Sequence, residues 1–427
     1  MAKLSHILGM NARNQLYASL NSSRAKRYGF SKYVAKNFLQ KHGVGVAKLY
    51  AMVSTQEEFR AFDFSSIEGG FAVKPSNGSA GKGVIVIKSR KRGEDVWVDI
   101  EDREWTEEDL RLHVSDILAG QYSTWNTTRS AIIEERIPVH PDLAPYVPIG
   151  TPDVRVILFN NIPVMAMTRL PTHASGGRAN LDQGAIGLGI DMGTGKTLFG
   201  VSGKKEMITY FPDTQIPVSD IQIPTWIKTL RTATRTANAT GLRYMGVDIF
   251  LHPERGPLVA EVNAYPGLSI QLCNQAGLRK RLERLEGITA RNVNHAVKIG
   301  QSLFAESFSS FVESEGDIQI LSHVEEVALI ADDDRHHDTK ALMNTGREMS
   351  AIAYDLAMEL NLVDPNDLLW MQQVAGEGKA AVVEVRYKLQ DSVYRSPMIV
   401  TKKLNDSPYK IQLGRNDLEG FFVGVNR

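Results

Sequence analysis

Hydrophobic spacing changes several times along the chain. In SKYVAKNFLQKH, residues 31–42, Tyr33, Val34, Phe38 and Leu39 fall on one side of a helical wheel and Gly43 supplies a stop, which predicts a short amphipathic helix. FAVKPSNGSAGKGVIVIKS then reads as two apolar strands, residues 71–73 and 84–87, joined by a glycine-rich loop. EDVWVDIEDREWTEEDLRLHVSDIL predicts a strand followed by a helix capped near Thr106, with Glu107 and Glu108 in its first turn. AIIEERI reads as a strand, and DVRVILFNNIPVMAMTRL as a pair of strands turning at Asn160 and Asn161. A helical pattern over residues 225–240 stops at Gly241, YMGVDIFL and PLVAEVNAY pair around HPERG, and a last helix covers residues 289–308.

After the polar connector SSFVESEGD the texture becomes short β segments (EEVALIA, KALMN, AAVVEVRYKL, SPMIVTKK and FFVGV) with one helix expected at residues 351–360. This predicts an α+β unit over residues 1–317, opening with a short segment 1–30, and a small all-β unit over 318–427. A length of 427 residues and 43% hydrophobic content suit two or three packed units at roughly 150 residues each. Lys plus Arg and Asp plus Glu both total 49, so no net charge draws the chain to nucleic acid or to an anionic membrane. The single Cys273 is compatible with a reducing compartment, and no stretch has the apolar length of a signal peptide core or a membrane span. The expectation is a cytoplasmic protein with neither nucleic-acid nor membrane partners.

Three stretches carry candidate chemistry. In KPSNGSAGKG, Lys74 ends a strand and is followed by Ser76, Gly78, Ser79, Gly81 and Gly83; glycines let backbone N–H groups converge on an anion and the lysine adds a point charge. A glycine-rich turn without a ligand explains the same letters. IDMGTGKT ends like a phosphate-binding P-loop, but Ile190 stands where the motif needs glycine and TLFGV follows where it needs a helix, so a hairpin turn is the better reading. In VDIF and VAEVNAYPG, strand alternation points Glu261 and Asn263 the same way, and Asp248 on the neighbouring strand can join them. Two carboxylates and an amide make a hard-cation site suited to Mg²⁺; the alternative is the solvated face of an edge hairpin. Arg155 and Arg169 read either as anion ligands or as strand salt-bridge partners, and their grouping with His173 and Arg178 favours an anionic substrate such as glutamate. The run DDDRHHD, residues 332–338, reads as a solvated hairpin loop.

ILGMNARN, SKYVAKNFLQKHGV, FAVKPSNGSAGKGVIVI, IIEERI, the stretch from PDVRVILF to GAIGLGID, and YMGVDIF with LVAEVNAYPGLSIQ occur in that order. Together, over residues 6–285, they resemble the ATP-grasp enzymes, in the alpha-L-glutamate ligase-like branch. The resemblance implies two α+β lobes holding ATP between antiparallel sheets. It places Lys36 and Lys74 on the phosphates under the loop 76–83, and Glu134, Glu135, Arg136 and Ile137 as the hinge beside adenine. Asp248, Glu261 and Asn263 would hold two Mg²⁺ ions, and Arg155, Arg169 and Asn180 would be catalytic. The implied activity is ATP-dependent carboxylate–amine ligation through an acyl phosphate, forming a peptide or amide bond with glutamate or another acidic amino acid, with an amino-acid donor and an amine or peptide acceptor. The rival readings are a kinase or thiol ligase using the same ATP site, and a non-catalytic scaffold binding nucleotide and peptide.

ALMNTGREMSAI, SPMIVTKK and IQLGRNDLEGFFVGV resemble the retropepsin fold that accompanies glutamate ligases. In that family two chains each give one catalytic Asp, and Asn344 stands in its place here, followed by Arg347 where a small residue is usual. An amide cannot act as that base, which implies a protease-like domain without cleavage activity, serving in a homodimer or higher oligomer.

Overall fold

The computed structural model describes residues 4–77, 81–122, 129–203, 205–305, 320–331, 336–365, 367–390, 392–419 and 421–424. Gly78 and Ser79, the connector and residues 332–335 therefore lie outside the described residues. The chain forms two compact units, one of Met1–Asp191 with Gly195–Glu286 and one of Met192–Thr194 with Gly287–Arg427. Among the described residues no helix is long and apolar enough to cross a membrane.

The first unit holds two antiparallel sheets. Strands β1 (Leu49–Val53), β2 (Phe71–Pro75), β3 (Ile85–Arg90), β4 (Val96–Asp99), β5 (Glu104–Thr106) and β6 (Ala131–Glu135) form one sheet in the order β1-β6-β2-β3-β4-β5. Alternation gives that sheet two unlike faces. Phe71, Val73, Ile87, Trp97 and Ile133 pack with Leu110, Val114 and Ile117 of the helix Glu107–Ala119. Each such buried side chain contributes roughly 1.5–3 kcal/mol relative to exposure. The opposite face carries Ala72, Lys74 and Glu134 toward a cleft. Thr106 caps that helix by accepting from Asp109 N, and the Asp109 carboxylate accepts from Thr106 N in return.

The second sheet contains β7 (Asp153–Phe159), β8 (Ile162–Leu170), β9 (Ile186–Ile190), β10 (Thr197–Val201), β11 (Met207–Ile208), β12 (Tyr244–His252) and β13 (Gly256–Asn263), ordered β11-β10-β9-β8-β7-β12-β13. Asn160 and Asn161 both take positive φ, 47° and 68°, and close a two-residue turn between Phe159 and Ile162. IDMGTGKT is the turn between the antiparallel strands β9 and β10, as the absence of a P-loop pattern indicates. The helix Trp226–Thr240 ends at Gly241 with φ 70°.

In the second unit, β14 (Ile320–Ser322) pairs in parallel with β22 (Phe422–Gly424). The remaining strands are β15 (Val324–Ile330), β16 (His336–Met343), β17 (Ala351–Ala353), β18 (Trp370–Val374), β19 (Gly378–Leu389), β20 (Ser392–Thr401) and β21 (Ile411–Leu413). Their order is β15-β16-β21-β17-β20-β19-β18, and β15 also pairs with β19, so six of them close into a barrel. The expected helix at 351–360 is only partly present. Ala351–Ala353 is a strand wedged between β20 and β21, and the helix is confined to Tyr354–Glu359. All three strand residues are buried, so they show no polar alternation. The helix Val293–Phe304 packs on β20.

Candidate active site

Strand register assembles the charges of the second sheet. Asp248 on β12 lies opposite Glu261 on β13 and opposite Arg155 on β7. Two positions along β7, Asp153 lies opposite Arg169 on β8. Residues directly across antiparallel strands point to the same side. One row of the sheet therefore reads Glu261, Asp248, Arg155, and the next brings Arg169 beside Asp153. The register shifts after Asp248, where Ile249 pairs with Val259 and Ala260 is left as a bulge, the kind of irregularity that re-aims side chains.

These side chains form an alternating ionic network. Arg155 donates from Nε to Asp248 Oδ1 and from Nη2 to Oδ2, both at 2.7 Å. Arg169 Nη2 donates to Asp248 Oδ2 at 2.8 Å, and its Nε donates to Asp153 Oδ1 at 2.7 Å. Asn263 Nδ2 donates to Asp248 Oδ2 at 3.3 Å. Burial alone would raise the Asp248 pKa, but Arg155 and Arg169 more than reverse this and hold the carboxyl well below its ordinary range. Asp153 moves the other way, pushed up by burial and by the nearby Asp248 carboxylate despite its pairing with Arg169.

The first sheet answers with the opposite pattern, one carboxylate between two cations. Lys36 and Lys74 each pair with one oxygen of Glu134. Glu134 faces two ammonium groups, and despite complete burial its pKa falls to about 2. Lys36 faces burial and a like charge, Lys74, which together outweigh the Glu134 and Glu135 carboxylates, and its pKa falls to about 8. Lys32 lies one helical turn before Lys36 and pairs with Glu261 at 3.1 Å. One face of the helix Lys32–Lys41 thus sends a lysine to a carboxylate of each sheet. Sequence reasoning chose Lys36 and overlooked Lys32, although the i, i+4 spacing is visible in the sequence.

The two sheets enclose a cleft of 690 Å³. Lys32, Lys74, Gly81, Glu134, Glu135, Arg136, Ile137, Arg155, Arg169, Arg178, Asn180, Asp248, Glu261 and Asn263 line it. Lys36 is 4% exposed and not part of the lining. Ser76 is buried against the start of the lysine helix, its N donating to Ser130 O and its O accepting from Lys32 N. Gly81 has φ 70°, and a Cβ there would stand 2.9 Å from Arg178 Cδ; Gly83, at φ 71°, similarly makes room for the Tyr122 ring. Asn180 Oδ1 accepts from Asp182 N and caps a short turn, and His173 O accepts from Gly176 N in the same loop. In the strand after Glu134, Glu135 pairs with Arg255 and accepts from Lys48 N, while Ile137 O accepts from Thr151 Oγ1.

The donor chemistry of Asp248, Glu261 and Asn263 fits a hard divalent cation, since all can present oxygen. Among the described residues no group of three or more His, Cys, Asp or Glu gathers for a metal. A cation here would rest on two carboxylates and one amide, with substrate oxygens completing its shell.

Two facing sheets, a glycine turn and this charge row define an ATP-grasp fold. The family model described as "Sugar-transfer associated ATP-grasp" matches residues 11–287, well over half the chain, and the protein belongs to that family. Among solved structures it is similar to the D-alanine–D-alanine ligase of Bacillus anthracis complexed with ATP, at 13% identity over 70% of this chain and 71% of that one, with a TM-score of 0.35. It is also similar to the ATP-grasp ligase PsnB complexed with a precursor variant, Mg and ADP, at 16% identity over 62% and 60% with a TM-score of 0.35. A third is the D-cycloserine synthetase DcsG, at 16% identity over 61% and 71% with a TM-score of 0.34. No curated protein sequence matches.

Glu134→Gln should destabilise the first unit by about 3–5 kcal/mol in urea unfolding, because it leaves two lysines without their shared carboxylate. In the wild type, the Glu134 pKa lies below its ordinary 4.5, so its stabilisation is complete above that value and is lost as pH falls toward 2. Equal acid sensitivity of wild type and variant, with unchanged urea midpoints, would contradict this.

Proposed function

We propose that the protein is an ATP- and Mg²⁺-dependent ligase that joins a carboxylate to an amine through an acyl phosphate. The observation that carries this is the register-built row of Glu261, Asp248 and Arg155, with Asn263 and Arg169, facing Lys74 and the glycine turn across one cleft. Amide formation needs a leaving group better than hydroxide. A carboxylate oxygen attacks the γ-phosphorus, ADP leaves, the amine nitrogen attacks the carbonyl carbon, and phosphate departs with the C–O electron pair. Protein groups contribute alignment and charge neutralisation. Bound Mg²⁺, as one or two ions, would supply neutralisation of phosphate oxygens, held by Asp248, Glu261 and Asn263.

Lys74 suits the phosphates, with Ser76, Gly81 and Gly83 of the segment that follows it, Lys32 is a second cleft-lining ammonium, and Lys36 acts through its pairing with Glu134. The backbone of Glu134, Glu135, Arg136 and Ile137 suits the adenine edge. Arg155 and Arg169 fix Asp248 and bring positive charge to where γ-phosphate and carboxylate meet, with Asn180 alongside. Arg178, which lines the cleft, and His173 in the same loop favour an acidic substrate, glutamate or another acidic amino acid, as in the glutamate ligase-like branch. The lone buried Cys273 supports a cytoplasmic setting.

The second unit is read as a retropepsin-like barrel without protease chemistry. Asn344 follows β16; its N donates to Leu413 O at 2.8 Å, its Nδ2 donates to Gln412 Oε1 at 3.0 Å, and its Oδ1 accepts from Gly346 N at 3.0 Å. Arg415 N and Asn416 N donate to Arg347 O and Glu348 O, so the segment LGRNDL holds the Asn344 turn by main-chain bonds. An amide so placed carries no charge, and two copies could meet there without the repulsion of paired carboxylates. That suits a homodimer or a peptide-holding module.

Asp248→Asn and Glu261→Gln should each lower ADP release by roughly 100-fold or more, about 3 kcal/mol of barrier. Activity within a few-fold of wild type at saturating Mg²⁺ would sink the assignment. For the barrel, the wild type should cleave no glutamate-rich peptide at any pH, and sedimentation should show a dimer; cleavage that Asn344→Ala abolishes would overturn the reading.

A further inference from the structure

A divalent cation at Asp248, Glu261 and Asn263 would enter an array whose charges already balance. Lys32 Nζ stands 3.1 Å from Glu261 Oε1, Arg155 pairs with Asp248 at 2.7 Å, and Arg169 pairs with both Asp248 and Asp153. Three cations face three carboxylates, so an added divalent ion meets no net negative charge to draw it in. The contacts are not equally firm. Asp248 is 3% exposed and held by two guanidiniums, one of them bidentate. The Lys32 and Glu261 side chains are 16% and 35% exposed, the most open pair of the row. An ammonium on a flexible stem binds as a point charge and leaves a carboxylate more readily than a bidentate guanidinium does.

The backbone of Lys32 shows where its ammonium can go. Ser31 caps the helix by accepting from Val34 N, Lys32 N donates to Ser76 O at 3.2 Å, and Ser31 Oγ lies 3.4 Å from Ser76 Oγ. Ser76 follows Lys74 by two residues and opens the segment that carries Gly81 and Gly83. The main chain of Lys32 is thus bonded to the phosphate segment of the first sheet while its side chain touches a cation ligand of the second. Lys32, Lys74 and Glu261 all line the same cleft.

On the ligase reading above, we propose that Lys32 is a positioning residue that couples nucleotide binding to cation binding. It neutralises Glu261 until a triphosphate enters the cleft, then moves its ammonium to the phosphate oxygens and frees the carboxylate for the divalent ion. The triphosphate supplies the negative charge that the array lacks. Cation and nucleotide therefore bind cooperatively, and each strengthens the other by the same factor. Without nucleotide, Glu261 stays paired and the cation site stays closed.

Titration of the full chain with Mn²⁺, which takes the same oxygen ligands, tests this by electron paramagnetic resonance of the free ion, with and without the ATP analogue AMPPNP. The wild type should bind Mn²⁺ about tenfold more tightly when the analogue is present. Lys32→Gln should tighten nucleotide-free Mn²⁺ binding by roughly fivefold while weakening the analogue, two shifts of opposite sign that a merely structural lysine would not produce. Lys32→Arg keeps the charge on Glu261 and should leave nucleotide-free Mn²⁺ binding as weak as in the wild type. Lys41→Gln removes the same charge from an exposed position at the end of the same helix and should change neither affinity. Nucleotide-free Mn²⁺ binding that Lys32→Gln leaves unchanged or weakens, or wild-type Mn²⁺ binding indifferent to the analogue, would overturn the proposal. If ADP release persists alongside either result, only the coupling role of Lys32 is lost. A chain that binds neither the analogue nor Mn²⁺ in its presence loses the ligase reading as well.

Discussion

The register of β7, β12 and β13 is the constraint on which the cleft depends. It places Asp248 between Glu261 on one side and Arg155 on the other, and the same pairing brings Asp153 to Arg169. A slip of one residue would turn every one of these side chains to the opposite face, exchanging them for Val247, Val154 and Val156, all buried. The apolar residues of the far face therefore hold the charged face in place. Packing energy and site geometry are two consequences of one alignment.

Such a face is expensive to bury. Asp248, Arg169 and Asp153 are each nearly inaccessible, and ion pairs in that setting seldom add net stability. Their alternation of sign limits the cost, since each carboxylate touches a guanidinium and Arg169 touches two carboxylates. The first sheet uses the reverse ratio, two ammonium groups on Glu134. The helix Lys32–Lys41 joins the two systems, with Lys36 at one carboxylate and Lys32 at another a turn away. In the proposed reading, a divalent cation at Asp248 would relieve Arg155 of part of its role there and leave it available to substrate oxygens.

Local features were the most legible in the sequence. Asn160 with Asn161, Thr106 and Gly241 mark ends and turns through backbone chemistry that acts within a few residues, and each performs that role. Alternation likewise put Glu261 and Asn263 on one face. What pairs with Asp248 was not legible, because Arg155 and Arg169 meet it only through strand register across distant segments. Lys36 illustrates the same limit: its type and place on the helix were clear, but its burial against Glu134, while Lys32 reaches Glu261, depends on where those two carboxylates arrive. In the second unit, the closure of β15 on β19 and the buried strand Ala351–Ala353 arise from long-range pairing that no short window contains.

Transfer of oxygen from donor carboxylate to phosphate tests the acyl-phosphate reading most directly. With L-glutamate labelled by ¹⁸O in its carboxylates as the donor, an amino acid or short peptide as the amine acceptor and unlabelled ATP, mass spectrometry of the released phosphate should find one ¹⁸O atom per turnover. Phosphate formed without label while ADP accumulates would contradict the account, because ATP would then be cleaved by water rather than by the carboxylate.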